Sequence, residues 1–175
     1  MKNQLFADKR DFFKYDLLLE ILNGIPDFHQ LTFIPMLTSD DNSNHGGQTK
    51  YQLGKRREDL FYFLRGCLER GARDIHHLRA YFSNQSFAYT PHLDSDHFTH
   101  DNREEYFLSI PDSALRRALV FFDPDNGLEV KSTKRGNGRK YLLYSELKAL
   151  FGHMGRLCSC GYLPAHSSRQ ATRVL

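Results

Sequence analysis

The chain has 175 residues, 40% apolar and 13% aromatic, which suits one domain with a core that needs no disulfide or metal staple. No apolar run approaches the roughly 18 residues of a membrane span, and the opening "MKNQLFADKRDFFKYD" is too charged for a secretory leader. A net charge of +3 with a pI near 8.7 tilts the surface basic, which admits a nucleic-acid partner without demanding one.

From Arg10 to Leu22, apolar side chains recur at helical spacing (Phe13, Leu17, Ile21; Phe12, Leu18, Leu22), and Asn23-Gly24 stops the helix. "LTFIPML" (Leu31 to Leu37) reads as a buried strand interrupted at Pro35. A polar loop runs from Thr38 to Asp59, and "LFYFLRGCLERG" (Leu60 to Gly71) forms a second helix. "HLRAYF" (His77 to Phe82) reads as a strand, and Gln85 to Asp101 as loop. "REEYFLSIPDSALRRA" holds one or two helical turns, with Asp112 or Ser113 as N-cap. "LVFF" (Leu119 to Phe122) is a buried strand, followed by an acidic turn, a basic loop and the helix "LLYSELKALFGHM". Alternating helices and strands predict an α/β fold, Rossmann-like, with a mostly parallel sheet flanked by helices over residues 1–157. Three cysteines, with Cys67 remote from Cys158 and Cys160, do not make a disulfide framework, so the expected compartment is a reducing cytoplasm.

The turn "DPDNG" carries the strongest chemical signal. In open parallel sheets, ligands bind beyond the carboxyl ends of the strands, and Asp123 stands at such an end. Pro124 fixes one backbone angle and Gly127 permits a positive φ, so the turn can hold Asp123 and Asp125 steady against a ligand. Asp-Pro-Asp-Asn-Gly is equally good turn chemistry with no further role. The neighbouring "KSTKRGNGRK" (Lys131 to Lys140) has five basic residues suited to a phosphate backbone, or to an ordinary solvated loop.

Two stretches carry a resemblance. "LFADKRDFFKYDLLLEIL" and "LVFFDPDNGLEVKS…KYLLYSELKALF" resemble an uncharacterised bacterial and phage-associated family. The same order of parts is more distantly similar to adenine-N6 methyltransferases of ribosomal RNA and to three-Cys-motif partner proteins. Those have an N-terminal Ala-Asp-x-x-Lys-His helix and an apolar strand ending in Asp-Pro-Pro-Tyr or Asp-Pro-Phe-Gly, a turn that in the methyltransferases grips a flipped base. Asp123 and Pro124 match its first two positions, while Asp125 and Asn126 replace Pro-Tyr.

The resemblance implies a methyltransferase-like enzyme acting on a nucleobase of DNA or RNA, with S-adenosylmethionine as its candidate cofactor. Asp123, Asp125 and Asp41 are then the candidate catalytic residues. Pro124, Asn126, Lys131, Lys134, Arg135, Lys140 and Lys14 are the candidate substrate contacts, with Lys131 expected to face the same cleft as Asp123. Asp40, Gly46 and Gly47 are the candidate cofactor contacts, although the glycine pair comes about nine residues after the strand rather than directly behind it. A cofactor-independent hydrolase such as a DNA glycosylase, plausibly in phage defence, fits the same carboxylates. So does a non-catalytic nucleic-acid-binding module.

His92-x-Asp94-x-Asp96-His97 has spacing suited to a divalent ion, against the plainer reading of an exposed histidine-rich loop. From Cys158 the chain loses periodicity, and 158–175 is expected to be an irregular tail. Read one nucleotide later, permitted codons for this segment can spell "VVVDIYQHIPRAKPRVF". A frameshift near Leu157 is therefore expected to have replaced a core strand.

Overall fold

The structure, a computed structural model, describes residues 1–41, 48–53, 57–130, 138, 140–157 and 173–174. Its helices are α1 (Lys9–Gly24), α2 (Glu58–Glu69), α3 (His77–Phe82), α4 (Arg103–Leu108), α5 (Asp112–Leu115) and α6 (Tyr144–Leu157). Its strands are β1 (Gln30–Ile34), β2 (Ala88–Pro91), β3 (Ala118–Phe122) and the two-residue β4 (Arg173–Val174). The expected α/β class with a parallel sheet flanked by helices is what the chain forms. The order is β2-β1-β3-β4, and every pairing is parallel.

The alternation of β1 and β3 divides the interior into two layers. Leu31 and Phe33 of β1, with Leu119 and Phe121 of β3, pack against α1, α2 and α3. Ile34, Ala118, Val120 and Phe122 point to the opposite face, among residues of α4, α5 and α6. Register places Phe33 beside Phe121, whose rings stack at 5.6 Å with 9° between their planes. Such a pair contributes about 0.5–1.5 kcal/mol beyond simple burial. Thr32, the one polar residue buried within β1, donates its hydroxyl to the Ala114 carbonyl and so fastens α5 to the sheet.

α1 begins where the Asp8 carboxylate accepts the backbone N–H groups of Arg10 and Asp11. β1 stops at Ile34 rather than Leu37, because Pro35 has no N–H to continue the ladder. Residues His77 to Phe82, expected as a strand, form α3: Leu78, Tyr81 and Phe82 stand at i, i+3 and i+4 and are all buried. The segment expected as loop contributes β2, an edge strand with partly exposed residues and Pro91 at its end. Asp112 is the first residue of α5, behind Pro111 at the N-cap.

Candidate functional site

The connection from β1 leads to β2 on one side, and the return from β2 crosses to β3 on the other. Helices leave the sheet in opposite directions at that point, which opens a crevice beyond the carboxyl ends of β1 and β3. Asp123 sits in it. Its N–H donates to the Ile34 carbonyl at 2.9 Å, extending the β1–β3 ladder by one residue and fixing the side chain's origin. A cleft of about 200 Å³ lies here, walled by α1 and the Asp-Pro-Asp turn.

The centre of this cleft is a three-residue charge cluster. Lys14 Nζ lies 2.7 Å from Asp123 Oδ2, 109 positions away in the sequence, and 2.7 Å from Asp11 Oδ1. Asp11 is buried, and its second oxygen accepts the Ala7 N–H at 2.9 Å. Burial pushes the Asp11 carboxyl up to about 6; Lys14 opposes the shift, while the negative charges of Asp123 and Asp8 add to it. Lys14 is also shifted up, for the opposite reason: burial would lower it, but Asp123 and Asp11 outweigh burial and hold the ammonium protonated above its ordinary range.

Asp125 lies on the same turn with different partners. It accepts the Met1 amino group at 2.8 Å and the Thr38 hydroxyl at 2.7 Å. Burial alone would raise its pKa, but the ammonium and the hydroxyl bring it below the usual carboxylate range. The Met1 amine also donates to the Met36 and Asp123 carbonyls, each at 3.1 Å. Pro124 lines the cleft, and Gly127, at φ +89, supplies the positive angle its turn requires. Asn126 and Lys140 meet through main chain, N–H to carbonyl at 2.8 Å.

Asp40 and Asp41 stand apart from this cluster. Asp40 accepts the Gln4 N–H at 3.0 Å, and Asp41 takes the Gln4 side-chain amide at 3.0 Å and the Lys2 ammonium. Both anchor the N-terminal segment. Gly46, Gly47, Lys131, Lys134 and Arg135 lie outside the described residues. Among the described residues, the cation that reaches Asp123 is Lys14. In the histidine-rich segment, Arg79 grips Asp94 through two bonds of 3.0 and 2.7 Å, and His92 Nε2 pairs with the Tyr106 carbonyl at 2.9 Å. Among the described residues no group of three or more His, Cys, Asp or Glu is arranged to hold a metal.

An S-adenosylmethionine site would need a glycine turn at the end of β1. The described residues there are Pro35, Met36, Leu37 and Thr38, and Met1 packs its amine against the Met36 carbonyl. These described residues supply no glycine turn, and the candidate Gly46 and Gly47 lie outside the described residues. In sequence Asp11 does not stand out, because an acid in a first helical turn is ordinary. The available signal was Asp8-x-x-Asp11-x-x-Lys14, three charges on one helical face. Comparison of the chain with protein-family models, curated proteins and solved structures gave no match.

Proposed function

We propose that this chain is a nucleic-acid base-processing enzyme that works through Asp11, Lys14 and Asp123, and that its reaction is hydrolysis of a base–sugar bond. The observation carrying this reading is the cluster itself: two carboxyl groups share one lysine in a cleft at the sheet's switch point, and burial raises the proton affinity of Asp11. A carboxyl titrating near 6 can hold a proton for a leaving group, while a second carboxylate orients water and stabilises positive charge at the sugar.

The step balances. The bond from the sugar carbon to the base nitrogen breaks, its electron pair leaves on the base, and the Asp11 proton caps that nitrogen. Water adds to the sugar carbon and gives up its proton to the Asp123 carboxylate. Lys14 keeps the two carboxyl groups in register and offsets their charge.

A second reading, methyl transfer to a base, is favoured by the Asp-Pro turn at the end of a parallel strand beside the switch point. One set of measurements separates the two. Labelled single-stranded and duplex DNA and RNA are incubated with the protein, and base loss is read as strand breaks, induced by alkali in DNA and by aniline at mildly acidic pH in RNA. Calorimetry with S-adenosylmethionine is run alongside. Strand breaks that disappear in Asp123→Asn, with no heat from the cofactor, support hydrolysis. Cofactor heat without base loss moves the assignment to methyl transfer.

A further inference from the structure

A second hollow, about 430 Å³ and roomier than the acidic cleft, lies between residues 51–53 and α2. Its aromatic wall is a chain of ring contacts, one stacked and two edge-on. Phe12 of α1 lies under Tyr51 at 5.5 Å, Tyr51 meets Phe61 edge-on at 5.7 Å, and Phe61 meets Tyr62 at 5.4 Å. The first three rings belong to the core layer or pack against it, but Tyr62 is 61% exposed. Arg65 stands one helical turn beyond Tyr62, and its contact with Glu69 is a loose 3.8 Å. Gln52 adds an amide able to donate and accept.

Gly66 completes the hollow. Glycine inside a helix is unfavourable relative to alanine, so its presence calls for a local reason. Packing between helices is not that reason, because a methyl group there would meet only the far end of the Arg70 side chain, at 3.0 Å. Gly66 lines the hollow without a side chain of its own, so alanine there would add a methyl group and displace the Arg70 guanidinium beside it.

A concave site lined by aromatic rings, the Gln52 amide and the Arg65 cation with its loosely held Glu69 suits a planar ring whose negative charge can take Arg65 over from Glu69. We propose that this hollow binds one nucleotide of a single-stranded nucleic acid, its base stacked on Tyr62 and its phosphate held by Arg65. Aromatic stacking tolerates any base, and the guanidinium fork matches phosphate oxygens. Tyr51 links the hollow to the acidic cleft: its hydroxyl donates to the Ala7 carbonyl at 3.2 Å, next to Asp8 in the cleft wall. A strand seated in the hollow would be held beside α1, whose first turns carry Asp11 and Lys14. The inference rests on nucleic acid being the partner, but not on the chemistry assigned to Asp123.

The test is fluorescence anisotropy of a short labelled single-stranded oligonucleotide against the full chain, over a range of salt concentrations. Tyr62→Ala is expected to weaken binding about tenfold. Arg65→Ala should weaken it and lower the slope of log affinity against log salt by about one. Gly66→Ala should weaken binding while keeping or raising the melting temperature, an outcome that a structural role for this glycine would not produce. If all three hollow variants bind within twofold of the parent, the hollow is not the site, whatever base loss shows. If Asp123→Asn retains base-loss activity while the hollow variants lose binding, the catalytic reading falls and this one stands. A parent chain that binds no oligonucleotide even at low salt overturns both.

Discussion

Asp11 and Asp123 show how position sets the work of chemically identical side chains. Asp11 holds its proton more tightly folded, at about 6, than its ordinary 3.8, so it subtracts stability as pH rises through that window. The loss approaches roughly 2–3 kcal/mol once the group is ionised. Asp125 acts with the opposite sign: its lowered pKa adds stability above about 4, which disappears as pH falls through its folded value. Urea midpoints are therefore expected to decline between about pH 4.5 and 7, and Asp11→Asn should flatten that decline. A decline of the same size in Asp11→Asn would show that another group causes it. If Asp11 is the proton donor, activity should also fall about tenfold per pH unit above 6, with that limb absent from the variant. Asp123→Asn keeps the turn's shape and removes its charge. It is expected to lower activity at least a hundredfold and, because it removes one of the two carboxylates that keep Lys14 charged, to lower the melting temperature without unfolding the chain. Activity within a few-fold of the parent would return Asp-Pro-Asp-Asn-Gly to turn chemistry alone.

At the scale of elements, long periodic segments were legible and short ones were not. α1, α2 and α6 repeat their apolar residues over several turns, and β3 is an unbroken apolar run, so each can be read from sequence alone. α3 and β2 are six and four residues long, too short for periodicity to separate helix from strand. They form because each meets the same aromatic layer: Phe82 of α3 stacks on Tyr89 of β2 at 4.8 Å. The site was half legible for the same kind of reason. Asp123 and Asp125 announce themselves by following a strand, whereas Asp11 acquires its role only when the fold brings β3 to α1. One junction has a backbone cost that sequence does not display. Arg117, between α5 and β3, is exposed with φ +48, in the left-handed region where side chains other than glycine cost roughly 1–2 kcal/mol. Its carbonyl accepts the His29 N–H at 2.9 Å, which holds the strained angle in place. Arg117→Gly is expected to raise stability by about 1 kcal/mol, or a few degrees of melting temperature. An unchanged or lower melting temperature would mean that the Arg117 side chain contributes more than its backbone costs.

The whole molecule is organised around β1 and β3, and the sheet's two sides are covered differently. β1 is flanked along its length, by β2 through four residue pairs and by β3 through five. Beyond β3, pairing among the described residues extends over only Leu119–Arg173 and Val120–Val174. All five residues of β3 are nevertheless buried, and the strand delivers Asp123 to the cleft. A longer apolar strand in that position would add backbone hydrogen bonds to β3 and steady the turn that follows it. The shifted reading after Leu157 begins "VVVDIYQH", which has the apolar character that a strand buried on both faces requires. A chain carrying that reading in place of the present 158–175 is expected to melt higher. Burying two or three valines contributes several kcal/mol before ordering costs, and a net gain of about 2 kcal/mol would shift melting by roughly 4–8 °C. Amide exchange supplies a local check, because protection should rise in β3 more than in β2. A higher melting temperature without that pattern would place the added segment elsewhere on the surface. No gain in either, together with a stop codon early in the shifted frame of the gene, would leave the present ending as the chain's own.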